Sequence, residues 1–202
     1  MTVIGLTGGI ASGKSLASEH FDELGAQIIN GDLLGHASYA PGTRGFDKVV
    51  AEFGDDIVGG NGEIDRAVFG PRIFSSPDGL EKLNAIVWPE IRLLAEAEIS
   101  RIKAEDNDVV IVLEAAVLLE ADWQDLCDEV WVISVPVDIT RSRLMERNNL
   151  DEDSAQARID SQMSMEEREE FADVVIRNDS SVAEFNNRVE EAWISLLERV
   201  GA

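Results

Sequence analysis

Residues 3–15, VIGLTGGIASGKS, decide the fold of this chain. A short apolar run leads directly into Gly8–Ser15, which fits the pattern G-x-x-x-x-G-K-[ST] at every fixed position. The stretch Ser15–Leu24 predicts a helix, so the pattern lies between a strand and a helix, as it does in a phosphate-binding P-loop. A glycine-rich turn that only packs a strand against a helix would have no use for Lys14 or Ser15. The segment therefore predicts nucleotide binding, although it does not say which molecule receives a phosphate.

The chemistry of a P-loop assigns a role to each kind of residue in it. Glycines let backbone N–H groups turn inward on the phosphates, and the following helix N-terminus adds partial positive charge. Lys14 reaches the β- and γ-phosphates, and the hydroxyl of Ser15 is a ligand for Mg²⁺. We therefore predict that the nucleotide phosphates are bound by Gly8, Gly9, Ile10, Ala11, Ser12, Gly13, Lys14 and Ser15.

Length and charge limit the class of protein and its partners. With 202 residues, 45% of them hydrophobic, the chain is long enough to bury one core without disulfides or a structural metal. Its 40 acidic residues against 17 Lys and Arg give a net charge of −23. Such a chain has no basic patch to offset phosphate repulsion, so we expect neither nucleic acid nor a membrane as its partner.

Targeting and redox signals are weak. The longest apolar stretch, Val109–Leu119, is interrupted by Glu114 and is too short to span a membrane. The start, Met-Thr-Val, shows no basic segment before a hydrophobic one, so no signal peptide is expected. Cys127 has no cysteine partner and is expected to be a small, partly buried residue. A cytoplasmic location follows from these observations.

Short β-branched runs indicate a parallel sheet. They read as near-continuous apolar segments, which is typical of strands covered on both faces, and helical stretches separate them. We predict an α/β, P-loop NTPase-like, doubly wound parallel sheet with right-handed crossovers, in a core of about 1–32, 107–147 and 172–202. The predicted strands are Val3–Leu6, Gln27–Asn30, Val109–Leu113, Val130–Val135 and Val174–Ile176.

Two insertions interrupt this pattern. Between Asn30 and Val109 the sequence offers only helical segments, which predicts a helical substrate-binding subdomain at about 33–106. Its longest segment, Leu80–Lys103, is expected to be kinked or broken near Pro89. A second excursion, about 148–171, is charged with little core periodicity and predicts a helical lid. Such lids exclude water while a phosphoryl group moves.

Two carboxylates end predicted strands and so belong at the edge where doubly wound sheets bind ligands. Asp32 is placed to accept a proton from an acceptor hydroxyl or to hold Mg²⁺ through water. It is equally placed to be the N-cap of a helix at Leu33–Tyr39. Glu114 is placed to hold the metal or its waters, as a Walker B residue does, or to serve as a capping or salt-bridge residue. The residues alone leave both questions open.

Further candidates lie later in the chain. Arg143 and Arg147 are one helical turn apart and precede the lid, so they form either a bidentate phosphate clamp or a solvated helix face. Glu120, which follows the apolar run Val117–Leu119, is a weaker candidate for a substrate contact.

An ordered set of motifs makes the chain resemble the dephospho-coenzyme A (dephospho-CoA) kinases. These P-loop kinases phosphorylate the ribose 3′-hydroxyl of dephospho-CoA in the last step of coenzyme A biosynthesis. The resemblance covers almost the whole chain, and Leu34–His36, Trp88-Pro89 and Ala115–Trp123 are especially similar to the kinase domain of the animal bifunctional coenzyme A synthase. The motifs are Ile4–Ile10, Leu24–Ala26, Ile29–Asp32, Tyr39–Gly42, Phe53-Gly54, Gly62–Arg66, Ile86–Pro89, Leu118–Ala121, Arg143–Arg147, Ala157–Ile159 and Ser161–Met163.

The resemblance implies ATP and dephospho-CoA as substrates, Mg²⁺ as cofactor and a role for each matching residue. It implies that Asp32 is the general base, that Arg143 and Arg147 are lid-base arginines near the phosphates, and that Arg66 contacts the acceptor. Asn178 falls where the family lines the adenine pocket. Arg158 and Gln162 match lid positions whose roles the resemblance does not define, and the oligomeric state stays open.

The chain also departs from the family pattern. Asn30 replaces an aspartate, Leu16 replaces a Ser or Thr, and Glu114 stands where Asp is frequent. The missing hydroxyl at Leu16 removes one nucleotide contact, roughly 0.5–1.5 kcal/mol. Two alternatives therefore remain: a P-loop kinase for another small acceptor such as a nucleoside monophosphate, and a catalytically weak nucleotide-binding homologue. The long helical insertion argues against the first, and the retained Lys14, Ser15 and Asp32 argue against the second.

Overall fold

A computed structural model describes residues 2–201, which contain a five-stranded sheet. Its strand order is β2-β3-β1-β4-β5, and every neighbouring pair is parallel. The α/β class and the five strands predicted from the sequence are confirmed. The strands are β1 (Thr2–Thr7), β2 (Gln27–Asn30), β3 (Val110–Glu114), β4 (Glu129–Ser134) and β5 (Val174–Arg177).

Helices connect these strands and build the insertion. The longest, α5, is one continuous helix through Pro89, so it is not broken there, and the kink that the sequence also allowed stays a prediction. Proline removes one backbone donor, and the buried Val87 and Ile91 on either side keep the same helix packed. The helices are α1 (Lys14–Glu23), α2 (Gly31–Ser38), α3 (Arg44–Phe53), α4 (Arg66–Ser75), α5 (Gly79–Glu105), α6 (Val137–Asn148), α7 (Glu152–Asp160), α8 (Met165–Glu170) and α9 (Val182–Val200).

The chain divides into two compact units. The first comprises Met1–Asn30 and Ile99–Ala202, and the second comprises Gly31–Glu98. The sequence placed these boundaries after residues 32 and 106. Asp32 and Arg66 therefore belong to the helical second unit, while the P-loop belongs to the first.

The core of the first unit holds the P-loop at both of its ends. All six residues of β1 are buried, and Phe21 of α1 packs on Trp131 at 5.5 Å and on Trp193 at 5.9 Å between ring centroids. One face of α9, which includes Phe185 and Trp193, is buried. Burying each such side chain contributes on the order of 1.5–3 kcal/mol, so the strand before the loop and the helix after it are firmly placed.

Candidate active site

Two of the three P-loop glycines, Gly8 and Gly13, lie at positions that no other residue fits. Gly8 has φ +157°, and a Cβ there would lie 2.7 Å from the carbonyl oxygen of Ile133. Gly13 has φ +93°, in the left-handed region, and a Cβ there would collide with the side-chain amide of Asn178. The loop backbone therefore packs directly against β4 and the residue after β5, and its conformation depends on both glycines.

The cationic end of the P-loop is formed by Lys14 and the start of α1. The ammonium of Lys14 donates to the carbonyl oxygens of Gly8 at 2.7 Å and Gly9 at 3.1 Å. The first turn of α1 contains no acidic residue of its own that would offset the positive end of the helix dipole. The side chain of Leu16 is partly buried against the core cluster. Leucine at this position, where the family has a hydroxyl residue, therefore contributes to core packing.

Three polar side chains meet where β1, β2 and β3 end. The carboxylate of Glu114 accepts a hydrogen bond from the Ser15 hydroxyl at 3.1 Å and another from the Asn30 amide at 3.3 Å. The register pairs Glu114 with both Leu6 and Asn30, and Glu114 is buried. Asn30 thus avoids the second negative charge that an aspartate would place beside Glu114.

This cluster has the donors that Mg²⁺ requires. Mg²⁺ prefers oxygen ligands and usually binds through one or two carboxylates together with substrate phosphates and water. Ser15 and Glu114 supply a hydroxyl and a carboxylate in contact with each other. Within residues 2–201, no group of three or more His, Cys, Asp and Glu side chains is arranged to hold a metal. The donor set therefore fits an ion shared with a nucleotide and does not form an all-protein cage.

Arg143 and Asn178 brace the other side of the loop. The guanidinium of Arg143 donates to Ala11 O at 3.4 Å and to the backbone and side-chain oxygens of Asn178 at 3.1 and 3.2 Å. The buried Asn178 amide donates in turn to Ser12 O at 2.8 Å. The structure thus brings both predicted residues to the loop, and through their side chains they fix its backbone.

Two clefts flank the P-loop, and their charges differ. On the side of Ala11 and Gly13, a cleft of about 430 Å³ contains Arg143, Arg147 and one acidic residue, Glu146. On the side of Gly9 and Ile10, a cleft of about 660 Å³ has one arginine against five carboxylates. The arginine-lined cleft therefore suits an anionic nucleotide better than the acidic cleft does. The charged residues of the acidic cleft are Asp160, Glu166, Glu167, Glu169, Arg177 and Asp179.

Glu120 is partly buried in an ion pair with a fully buried arginine that sequence reasoning missed. Both carboxylate oxygens accept hydrogen bonds from Arg168 of α8, whose side chain is only 1% exposed. Arg168 also donates to Ala116 O at 3.4 Å and Met163 O at 3.3 Å. The sequence MEEREE around Arg168 looks like a solvated helix and gives no sign of this burial. A substrate contact for Glu120 stays a prediction.

In the helical unit, Asp32 lies inside the first turn of α2, which begins at Gly31. It is therefore not the N-cap that the alternative interpretation required. Its side chain is exposed and available to a ligand.

Arg66 is the first residue of α4 and lines a cleft of about 550 Å³ with His36 and Tyr39, entirely within this unit.

Comparison with known proteins is consistent with this site. A family model for dephospho-CoA kinase matches residues 2–184. The dephospho-CoA kinase of Geobacter sulfurreducens is 40% identical over 193 residues, 96% of this chain and 98% of that protein. That of Carboxydothermus hydrogenoformans is 41% identical over 182 residues, 90% of this chain and 88% of that protein.

A solved structure of a dephospho-CoA kinase from Campylobacter jejuni superposes with a TM-score of 0.75 and 26% identity, covering 96% of each chain. Across residues 2–201, no helix is both long and apolar enough to cross a membrane. The family match, the two relatives and this superposition confirm the fold and the resemblance that the sequence motifs indicated. The chain belongs to the dephospho-CoA kinase family.

Proposed function

We propose that this chain transfers the γ-phosphoryl group of ATP to the ribose 3′-hydroxyl of dephospho-CoA, the last step of coenzyme A biosynthesis. The observation that carries the proposal is a complete P-loop, with Lys14 and Ser15 in place, in a chain similar to dephospho-CoA kinases along nearly its whole length. The acceptor comes from that similarity, and the P-loop geometry supplies the phosphate chemistry.

ATP binds with its phosphates in the P-loop and its nucleoside in the arginine-lined cleft. Backbone N–H groups of the P-loop and the ammonium of Lys14 stabilise the negative charge that spreads over the γ-phosphoryl group. Arg143 and Arg147 line that cleft and supply further cations. Asn178 helps to shape the adenine pocket through the loop it braces. Because the Leu16 side chain packs on the core, it contributes to nucleotide binding through its backbone.

Ser15 and Glu114 would hold Mg²⁺, which neutralises phosphate charge and orients the phosphates when it is bound. The Asn30 amide fixes one oxygen of Glu114, which leaves the other to exchange its hydrogen bond with Ser15 for the metal. Magnesium dependence is a prediction of this arrangement.

Asp32 acts as the general base toward the acceptor. As the 3′-oxygen attacks the γ-phosphorus in line, a new O–P bond forms, the bond to the β-phosphate oxygen breaks, and ADP leaves. The proton of the hydroxyl passes to the Asp32 carboxylate. Arg66 binds an anionic group of dephospho-CoA, and Glu120 contacts substrate or acts only through Arg168.

A coupled assay of ADP release tests the proposal, with dephospho-CoA compared against nucleosides and nucleoside monophosphates. Asp32→Asn should lower turnover roughly 10²–10⁴-fold with little change in ATP affinity, the usual effect of losing a positioned base. Asp47→Asn, in the first turn of α3 in the same unit, is the matched control. Faster phosphorylation of a nucleoside monophosphate would reject the acceptor. An Asp32→Asn variant that keeps more than about a tenth of the turnover would reject the base.

The location of the protein in the cytoplasm stays a prediction, as does the absence of nucleic acid among its partners. The oligomeric state stays open.

A further inference from the structure

The turn between α7 and α8 contacts the tip of the P-loop. The side-chain oxygen of Gln162 accepts a hydrogen bond from the backbone N–H of Ile10 at 2.8 Å. A Cβ built on Gly9 would lie 3.8 Å from that same oxygen and 3.7 Å from the terminal methyl of Met165. A residue 152 positions away in the sequence therefore binds one of the donors of the phosphate loop.

The chemistry of the amide determines which way Gln162 is oriented. Because the partner is an N–H group, the side chain must present its oxygen to Ile10, and the NH₂ group is directed elsewhere. Over the part of the chain that is described, this NH₂ group donates no hydrogen bond, and Gln162 lines the acidic cleft beside Gly9 and Ile10. Two N–H donors are thus available beside the tip of a loop that binds a polyanion.

The turn that carries Gln162 is held rigidly. The buried guanidinium of Arg168 donates to the carbonyl oxygen of Met163, the next residue after Gln162. A capping box between Ser164 and Glu167 fixes the start of α8. A side chain fixed in advance loses little entropy when it binds a ligand, so each of its hydrogen bonds contributes more affinity.

We propose that Gln162 is a positioning residue that makes the site selective for a triphosphate. Its oxygen holds the Ile10 N–H at the tip of the loop, and its NH₂ group donates to an oxygen of the terminal phosphate. A diphosphate lacks that phosphate and gains nothing from the amide. The inference rests on the proposed use of ATP as donor and is independent of the acceptor.

The test compares the affinities of ADP and a non-hydrolysable ATP analogue, measured by calorimetry without dephospho-CoA. Gln162→Met keeps the size of the side chain and removes both hydrogen-bonding groups. It should weaken binding of the ATP analogue roughly 10–100-fold, as expected for a hydrogen bond to a charged group. Binding of ADP should weaken by less than about threefold. Gln156→Met is the matched control, because Gln156 lies on α7 and bonds Arg141 and Asp160 instead of the loop.

Equal weakening of both nucleotides would show that Gln162 only maintains the loop, and unchanged affinities would show that it does neither. Tighter binding of the ATP analogue would show that Gln162 competes with the phosphate for the Ile10 N–H. Each of these results overturns the proposal. If Gln162→Met does not fold, Gln162→Leu decides, since it also removes both hydrogen-bonding groups without adding charge and should also weaken binding of the ATP analogue selectively. Because no acceptor is present, failure here is separate from failure with dephospho-CoA.

Discussion

Replacing Glu120 by glutamine should destabilise the protein by leaving a buried cation without its partner. The side chain of Arg168 is 1% exposed and that of Glu120 is 25% exposed. Removing one partner of a fully buried ion pair costs about 3–5 kcal/mol. The Glu120 side chain is 25% exposed to solvent, and the carbonyl oxygens of Ala116 and Met163 still accept hydrogen bonds from Arg168. We therefore expect a smaller loss for Glu120→Gln, about 2–3 kcal/mol.

For a protein of this size, each kcal/mol corresponds to about 2–4 °C in melting temperature, so calorimetry should show a decrease of about 4–12 °C. Glu105→Gln is the control, because Glu105 pairs with Arg101 on the surface, with side chains 66% and 50% exposed. An exposed pair one helical turn apart contributes about 0.3–0.5 kcal/mol, or at most about 2 °C.

A double-mutant cycle with Arg168→Met isolates the pair from other effects. We expect Arg168→Met to cost less in the Glu120→Gln background than in the wild type, by more than about 1 kcal/mol. A stabilising Glu120–Arg168 pair is refuted if Glu120→Gln melts no lower than Glu105→Gln, or if the two substitutions at the pair are additive. A loss of turnover without a loss of stability would instead assign Glu120 to the substrate.

Three further predictions concern other parts of the molecule. Hydrogen bonds from Arg44 and Lys48 lower the pKa of the Glu90 carboxyl below 4.5, so its contribution to stability is complete above that value and is lost as pH falls through the folded pKa. Glu90→Gln should thus lower the melting temperature at pH 7 by more than at pH 3. A difference in melting temperature between wild type and variant that stays constant across this range would argue against this role of Glu90. Burial, with nearby aspartates, raises the pKa of Cys127 to about 12, so at pH 8 a disulfide reagent should modify it far more slowly than free glutathione; equal rates would show that the thiol is accessible. Hydrogen exchange should be faster across residues 148–161 than across α8, which Arg168 anchors, and uniform exchange through the lid would contradict this.

Local patterns in the sequence determined the P-loop and the strands around it. Each strand is a short β-branched run, and the loop is defined by residues at fixed spacing, so both are visible within a window of about ten residues. The burial of one face of α9 was visible for the same reason, because Phe185 and Trp193 recur at helical spacing. The break expected at Pro89 shows the limit of such reasoning, since packing along α5 overrode a local preference.

Only the tertiary structure decided which polar side chains meet. Asn30 and Glu114 are 84 positions apart, Glu120 and Arg168 are 48 apart, and Ile10 and Gln162 are 152 apart. Each pairing depends on strand register and on where helices pack, which are set by contacts over the whole core and leave no mark in the local pattern. The sequence could therefore name Glu114 and Glu120 as candidates, but the side chain that binds each of them follows from the folded arrangement alone.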